Sequence, residues 1–133
     1  MHLNFFGERI FRLEAALVFG LLIAVYIRTD ASWLLFALLF LTPDLSALGY
    51  IAGPKPGAGS YNIGHTIVWP VALAITAMAA NSSLMLSIGI IWGAHIAFDR
   101  SMGYGIKIPD NPNPGKRRKK QTSHRESSAG RQD

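Results

Sequence analysis

Seven side chains in this 133-residue sequence are of types that could do chemistry together: Glu14, Asp44, Asn62, His65, His95, Asp99 and Arg100. His95 and Asp99 stand four residues apart in "IIWGAHIAFDRSMGYG" (Ile90–Gly105), so on a helix they share one face. Asn62, His65 and Thr66 share another. Imidazole and carboxylate groups are the ligands that suit Zn, Mn or Fe. Cysteine is absent, so thiolate ligands and disulfides are excluded. On this reading His65, His95 and Asp99 are the metal ligands. Asp44 or Glu14 completes the site or acts as general base on a water whose pKa the ion lowers. Arg100 would clamp a phosphate and Asn62 would orient substrate.

Each of these residues has a plainer role to weigh against that one. His95–Asp99 could be a capping pair near a helix C-terminus. "TPD" at Thr42–Asp44 reads as a helix start, with Thr42 as N-cap and Pro43 in the first turn. Glu14 could pair with Arg9, Arg12 or Arg100. Pro70 would kink its helix, and the three tryptophans read as packing or interfacial anchors.

The elements that position these residues are strongly apolar. Half of the residues are hydrophobic and the mean hydropathy is +0.24. The apolar residues fall into four blocks, roughly Ile10–Ile27, Trp33–Ile51, Ile63–Ala80 and Leu84–Arg100. Each is near the ~17–25 residues that span a bilayer. The expected fold is all-α: a four-transmembrane-helix bundle over residues 1–108, built of two helical hairpins. Glu14 interrupts the first block and no small-x-small cleavage site follows, so that block is expected to be a retained helix rather than a signal peptide. "AGPKPGAGSYN" (Ala52–Asn62) reads as a helix-breaking loop, and Asn81–Ser83 as a tight turn.

Charge sets the expected orientation. Residues 1–106 carry five basic and five acidic groups, so the formal +5 belongs wholly to residues 107–133. With four spans, Arg9, Arg12, Lys55, Arg100 and the basic tail lie on one side and Arg28 on the other. Both termini are therefore expected in the cytoplasm, with the chain multi-pass in the cell membrane. The tail, 109–133, is expected to be disordered. Its Lys116–Lys120 run is either a topology signal or a contact for anionic lipid headgroups; nucleic acid is not an expected partner.

All four blocks would bring a polar group to the same half of the membrane. Glu14 would lie about one turn in and Asp44 about two. His65 would stand in a first turn, His95 and Asp99 in the last two. Ionisable groups in lipid are costly unless paired, and usually face the bundle interior. A weak echo, "DLSALGY" (Asp44–Tyr50) against "DRSMGY" (Asp99–Tyr104), suggests either a parallel duplication of the hairpins or chance.

Four stretches carry a resemblance: "RLE" (Arg12–Glu14), "PDLSALGY" (Pro43–Tyr50), "GPKPGAGSYNIGHT" (Gly53–Thr66) and "AHIAFDRSMGYGIK" (Ala94–Lys107). Together, over about residues 9–108, they resemble the bacterial membrane family known as domain of unknown function 4260. That resemblance implies a four-helix integral membrane protein and no activity. The H-x-x-x-D element at His95–Asp99 is more distantly similar to membrane-bound metal-dependent hydrolases related to zinc phospholipase C. Two functions follow. One is a metal-dependent hydrolase of a lipid or lipid-linked substrate. The other is a non-catalytic transporter or scaffold subunit whose polar network fixes helix packing or relays ions.

Overall fold

The computed structural model describes residues 2–107, with side chains from Phe6 onward. The expected tail and its Lys116–Lys120 run lie outside the described residues. Those described form α1 (His2–Ile27), α2 (Trp33–Phe40), a 3-10 helix (Thr42–Ala52), α3 (Pro54–Gly64), α4 (Val68–Ala79) and α5 (Ser83–Met102). No strand occurs among them.

Three helical stretches are long and apolar enough to cross a membrane: Phe6–Ile27, Trp33–Ala52 and Pro54–Ala79. The fourth expected span, α5, has the length at 20 residues but is not among them. Its place in the fold explains why. α5 packs against α1, α4 and α2, and buries a run from Ser87 to Ala97 that includes His95. A helix enclosed by protein need not be apolar on every side. The lipid-compatible surface is carried by its neighbours, which expose Leu13, Leu17, Leu21, Leu34 and Leu38.

Two of the spans are interrupted, and the interruptions matter most for the site. Within Trp33–Ala52, α2 gives way at Leu41 to the 3-10 helix. Pro43 cannot donate a backbone hydrogen bond, which favours a break at this point. Thr42 is not the N-cap expected from "TPD". Its hydroxyl turns back to donate to the Leu38 carbonyl at 3.2 Å, and no side chain caps the 3-10 helix. The Asp44 carboxylate is thus not used for capping.

Within Pro54–Ala79 the chain breaks at residues 65–67. Pro70 does not kink a continuous helix; it sits in the first turn of α4, where its missing N–H is tolerated, and the break precedes it. The Gly64 carbonyl freed there accepts a 2.7 Å hydrogen bond from the Trp92 indole. Trp92 therefore does more than pack.

The segment read as a helix-breaking loop is mostly α3. Pro54 and Pro56 fall in its first turn, where prolines do no harm, and the glycines let it lie against the 3-10 helix. Gly57 shows the need: a Cβ there would stand 2.7 Å from the Tyr50 Cα. The tight turn at Asn81–Ser83 is present. Asn81 takes φ +52° and Ser82 caps α5 by accepting from the Met85 N–H.

At the other end, Arg12 of α1 donates to the carbonyls of Ser101 and Met102, at 3.0 and 3.2 Å. The N-terminal part of α1 and the C-terminus of α5 therefore lie together. Gly103, at φ +96°, reverses the chain after α5, with the Tyr104 N–H on the Asp99 carbonyl at 2.9 Å. The chain then crosses α3, where the Asn62 side chain clamps both backbone groups of Lys107, at 2.6 and 2.7 Å.

Candidate metal centre

The two interruptions bring together residues far apart in the sequence. Asp44 stands in the first turn of the 3-10 helix and His65 is the C-cap of α3. Eight residues of 3-10 helix and eleven of α-helix both come to about 16 Å from the Gly53 turn, so the two side chains meet at one level. His65 is thus at the far end of α3, not in the first turn of its span. His95 and Asp99 arrive from α5.

One atom from each residue enters the cluster: Asp44 Oδ1, His65 Nε2, His95 Nε2 and Asp99 Oδ2, all within 4.8 Å of one another. The two imidazole nitrogens are 3.1 Å apart. His65 Nε2 lies 3.2 Å from Asp99 and 3.6 Å from Asp44; His95 Nε2 lies 3.4 Å from each. A tetrahedral ion with bonds of roughly 2.0–2.1 Å sets its ligands about 3.3–3.4 Å apart. Five of the six spacings bracket that value, and the sixth, between Asp44 and Asp99, is within 4.8 Å.

Hydrogen bonding fixes which His65 nitrogen is free. Nδ1 lies 2.9 Å from the Tyr61 carbonyl, which can only accept, so Nδ1 carries the proton. In neutral His65 the Nε2 lone pair then points at two carboxylates and a second imidazole. That arrangement is relieved by a hydrogen on His95 Nε2, 3.1 Å away, or by a metal ion bound among the four groups. The Tyr61 ring also stacks on His65, with centroids 3.8 Å apart, and holds its orientation.

His95 is held differently. Its ring meets Phe40 edge-on at 5.3 Å, while its buried Nδ1 has no hydrogen-bond partner among the described residues. A buried unsatisfied nitrogen costs about 1–3 kcal/mol, so packing, not a second hydrogen bond, orients this ring.

Burial separates the four residues. His65, His95 and Asp99 have side chains 4%, 2% and 16% exposed, whereas Asp44 is 52% exposed. Asp44 and Asp99 both face an open cavity of about 500 Å³, whose wall includes Tyr50, Tyr61, Tyr104 and Lys107. The Tyr61 hydroxyl lies 3.4 Å from Asp99 Oδ2.

Of the seven residues singled out from the sequence, four form the cluster and three stand apart. Glu14 and Arg100 line a separate cavity of about 250 Å³ between α1 and α5. Asn62 uses its amide on Lys107. The tyrosines and Lys107 were missed as site residues, although a signal for two of them existed. The paired "D…GY" stretches each give one carboxylate to the cluster and one tyrosine to the cavity wall. Their backbones differ, 3-10 helix in one and α-helix in the other.

Residues 8–114 match the family described as domain of unknown function (DUF4260). The chain belongs to that family. No curated protein and no solved structure matches the chain. The family match spans all four cluster residues and the cavity wall, and leaves out most of the basic tail.

Proposed function

We propose that this DUF4260 protein is an integral membrane metalloenzyme that hydrolyses a lipid or lipid-linked substrate with a divalent ion bound by His65, His95 and Asp99. The observation that supports it is the spacing of the four candidate ligand atoms, 3.1–3.6 Å over five of their six pairs and within 4.8 Å over all. Zinc is the ion whose bond lengths suit that spacing; Mn or Fe would use the same ligands. A catalytic ion keeps an open position and lowers the pKa of a bound water toward neutrality.

The remaining steps fall to the protein. Asp44, the most exposed of the four, would act as general base from the cavity side. Tyr61 holds His65 by its carbonyl and ring, and its hydroxyl approaches Asp99. Phe40 excludes water from the buried side of His95. Glu14, Arg100 and Asn62 serve the scaffold on this reading.

The proposed setting is a bacterial cytoplasmic membrane crossed four times, with α5 enclosed by the other spans. Arg9, Arg12, Lys55 and Arg100 mark the end that also holds the termini as cytoplasmic. Lys116–Lys120 would contact anionic headgroups there.

Metal content measured on detergent-purified protein tests this reading. Unaltered protein and Asp44→Asn should each hold close to one ion per chain, and His95→Ala almost none. Only the unaltered protein should hydrolyse a panel of chromogenic esters. No metal in any of them after incubation with Zn or Mn would leave the hydrogen-bonded network as the better account.

A further inference from the structure

We infer that the cavity in front of the cluster is a phosphoryl-binding site and that Lys107, not Arg100, is its charged anchor. The inference rests on the metal reading above and adds the substrate class. Asp44 and Asp99 are the only acidic residues on the cavity wall among the described residues. One divalent ion balances both. Lys107 then leaves the cavity with a net single positive charge, so a neutral substrate would leave that charge uncompensated and an anion would pair with it.

Lys107 is placed for this role. Asn62 fixes its backbone at both the N–H and the carbonyl, so the side chain starts from an anchored point. Its ammonium lies 5.1 Å from the Tyr61 ring centroid and 5.6 Å from that of Tyr104, and makes no ion pair among the described residues. The hydroxyls of Tyr50 and Tyr104 likewise have no hydrogen-bond partner among the described residues. The metal, the ammonium and the two phenols line one cavity with several partners for an anion. They suit the three or more oxygens of a phosphoryl group. Arg100 faces the other cavity, beside Glu14.

The test is equilibrium dialysis of labelled inorganic phosphate against metal-loaded full-length protein in detergent, with metal content measured on the same samples. Unaltered protein should bind phosphate. Lys107→Met should keep its metal and bind about tenfold more weakly. Lys107→Arg, which keeps the charge, should return to within about threefold. Displacement by a short-chain phosphatidate but not by glycerol phosphate would assign the group to a lipid headgroup, and the reverse to a soluble ester. Displacement by neither would overturn the inference. So would unchanged binding in a metal-replete Lys107→Met, or no phosphate binding by fully metal-loaded protein, and both leave the metal reading intact. Failure of the unaltered protein to take up metal would overturn the two together.

Discussion

The two ends of this helical protein bury polar groups in opposite ways. At one end Tyr26 is almost wholly enclosed, packed with Ile90, Ile91, Leu35 and Phe36 and flanked edge-on by Trp33. Its hydroxyl donates to the Ser32 carbonyl at 2.6 Å, so nothing there lacks a partner. At the other end His65 and His95 are just as buried, yet they face each other and two carboxylates, and His95 Nδ1 has no partner among the described residues. The first arrangement is complete as a packed core. The second gathers four groups that could hold a metal ion. α5 runs through both, supplying Ile90 and Ile91 to one and His95 and Asp99 to the other.

Substitutions can sharpen that contrast. The largest effect is expected from His95→Ala combined with Asp99→Ala, which removes two of the three proposed ligands. Metal per chain, read by mass spectrometry, should fall from near one to near zero while circular dichroism still shows a helical protein. Acidification should act in the same direction, because protons compete with the ion for both imidazoles and both carboxylates. Metal retention should therefore fall as pH is lowered and recover when it is raised.

At the opposite end Tyr26→Ala should do the reverse. Loss of a large buried ring costs about 3–5 kcal/mol, seen as a lower thermal midpoint, with the metal content of the remaining folded protein unchanged. If Tyr26→Ala released the metal as completely as the ligand variants do, the two ends would not be separable.

Gly57→Ala should have an intermediate effect that links packing to the site. The new methyl group would push α3 away from Tyr50 and the 3-10 helix, at about 1–3 kcal/mol. It should also weaken metal affinity, because His65 is the C-cap of α3. The smallest effect is expected from Asn62→Ala. It removes two hydrogen bonds to Lys107, worth roughly 1 kcal/mol each, and should leave metal content unaltered.

Much of this was legible in the sequence. The apolar blocks gave the all-helical architecture, because lipid-length runs of Leu, Ile, Val and Phe have few other solutions. His65, His95, Asp44 and Asp99 stood out because each places an ionisable group in or beside such a run. What periodicity could not convey was the pair of helix breaks. Pro43 and Pro70 each signal a local disturbance, but only the packing of α3 on the 3-10 helix shows that the disturbances lie side by side. The Gly- and Pro-rich composition of Pro54–Gly64 pointed to a loop. Its stability as a helix comes from tertiary contact, which local propensity does not contain. Glu14 looked equivalent to the cluster residues by depth and Arg100 looked placed to clamp a phosphate, and the helix faces direct both into a different cavity.

The most direct test of the central claim is X-ray absorption at the metal edge of the zinc-loaded protein. The account predicts a first shell of about four nitrogen and oxygen atoms at ~2.0–2.1 Å, with the outer-shell scattering of two imidazoles, reduced to one in His95→Ala if any metal remains. A bound ion without imidazole scattering, or no bound ion at all, would contradict it.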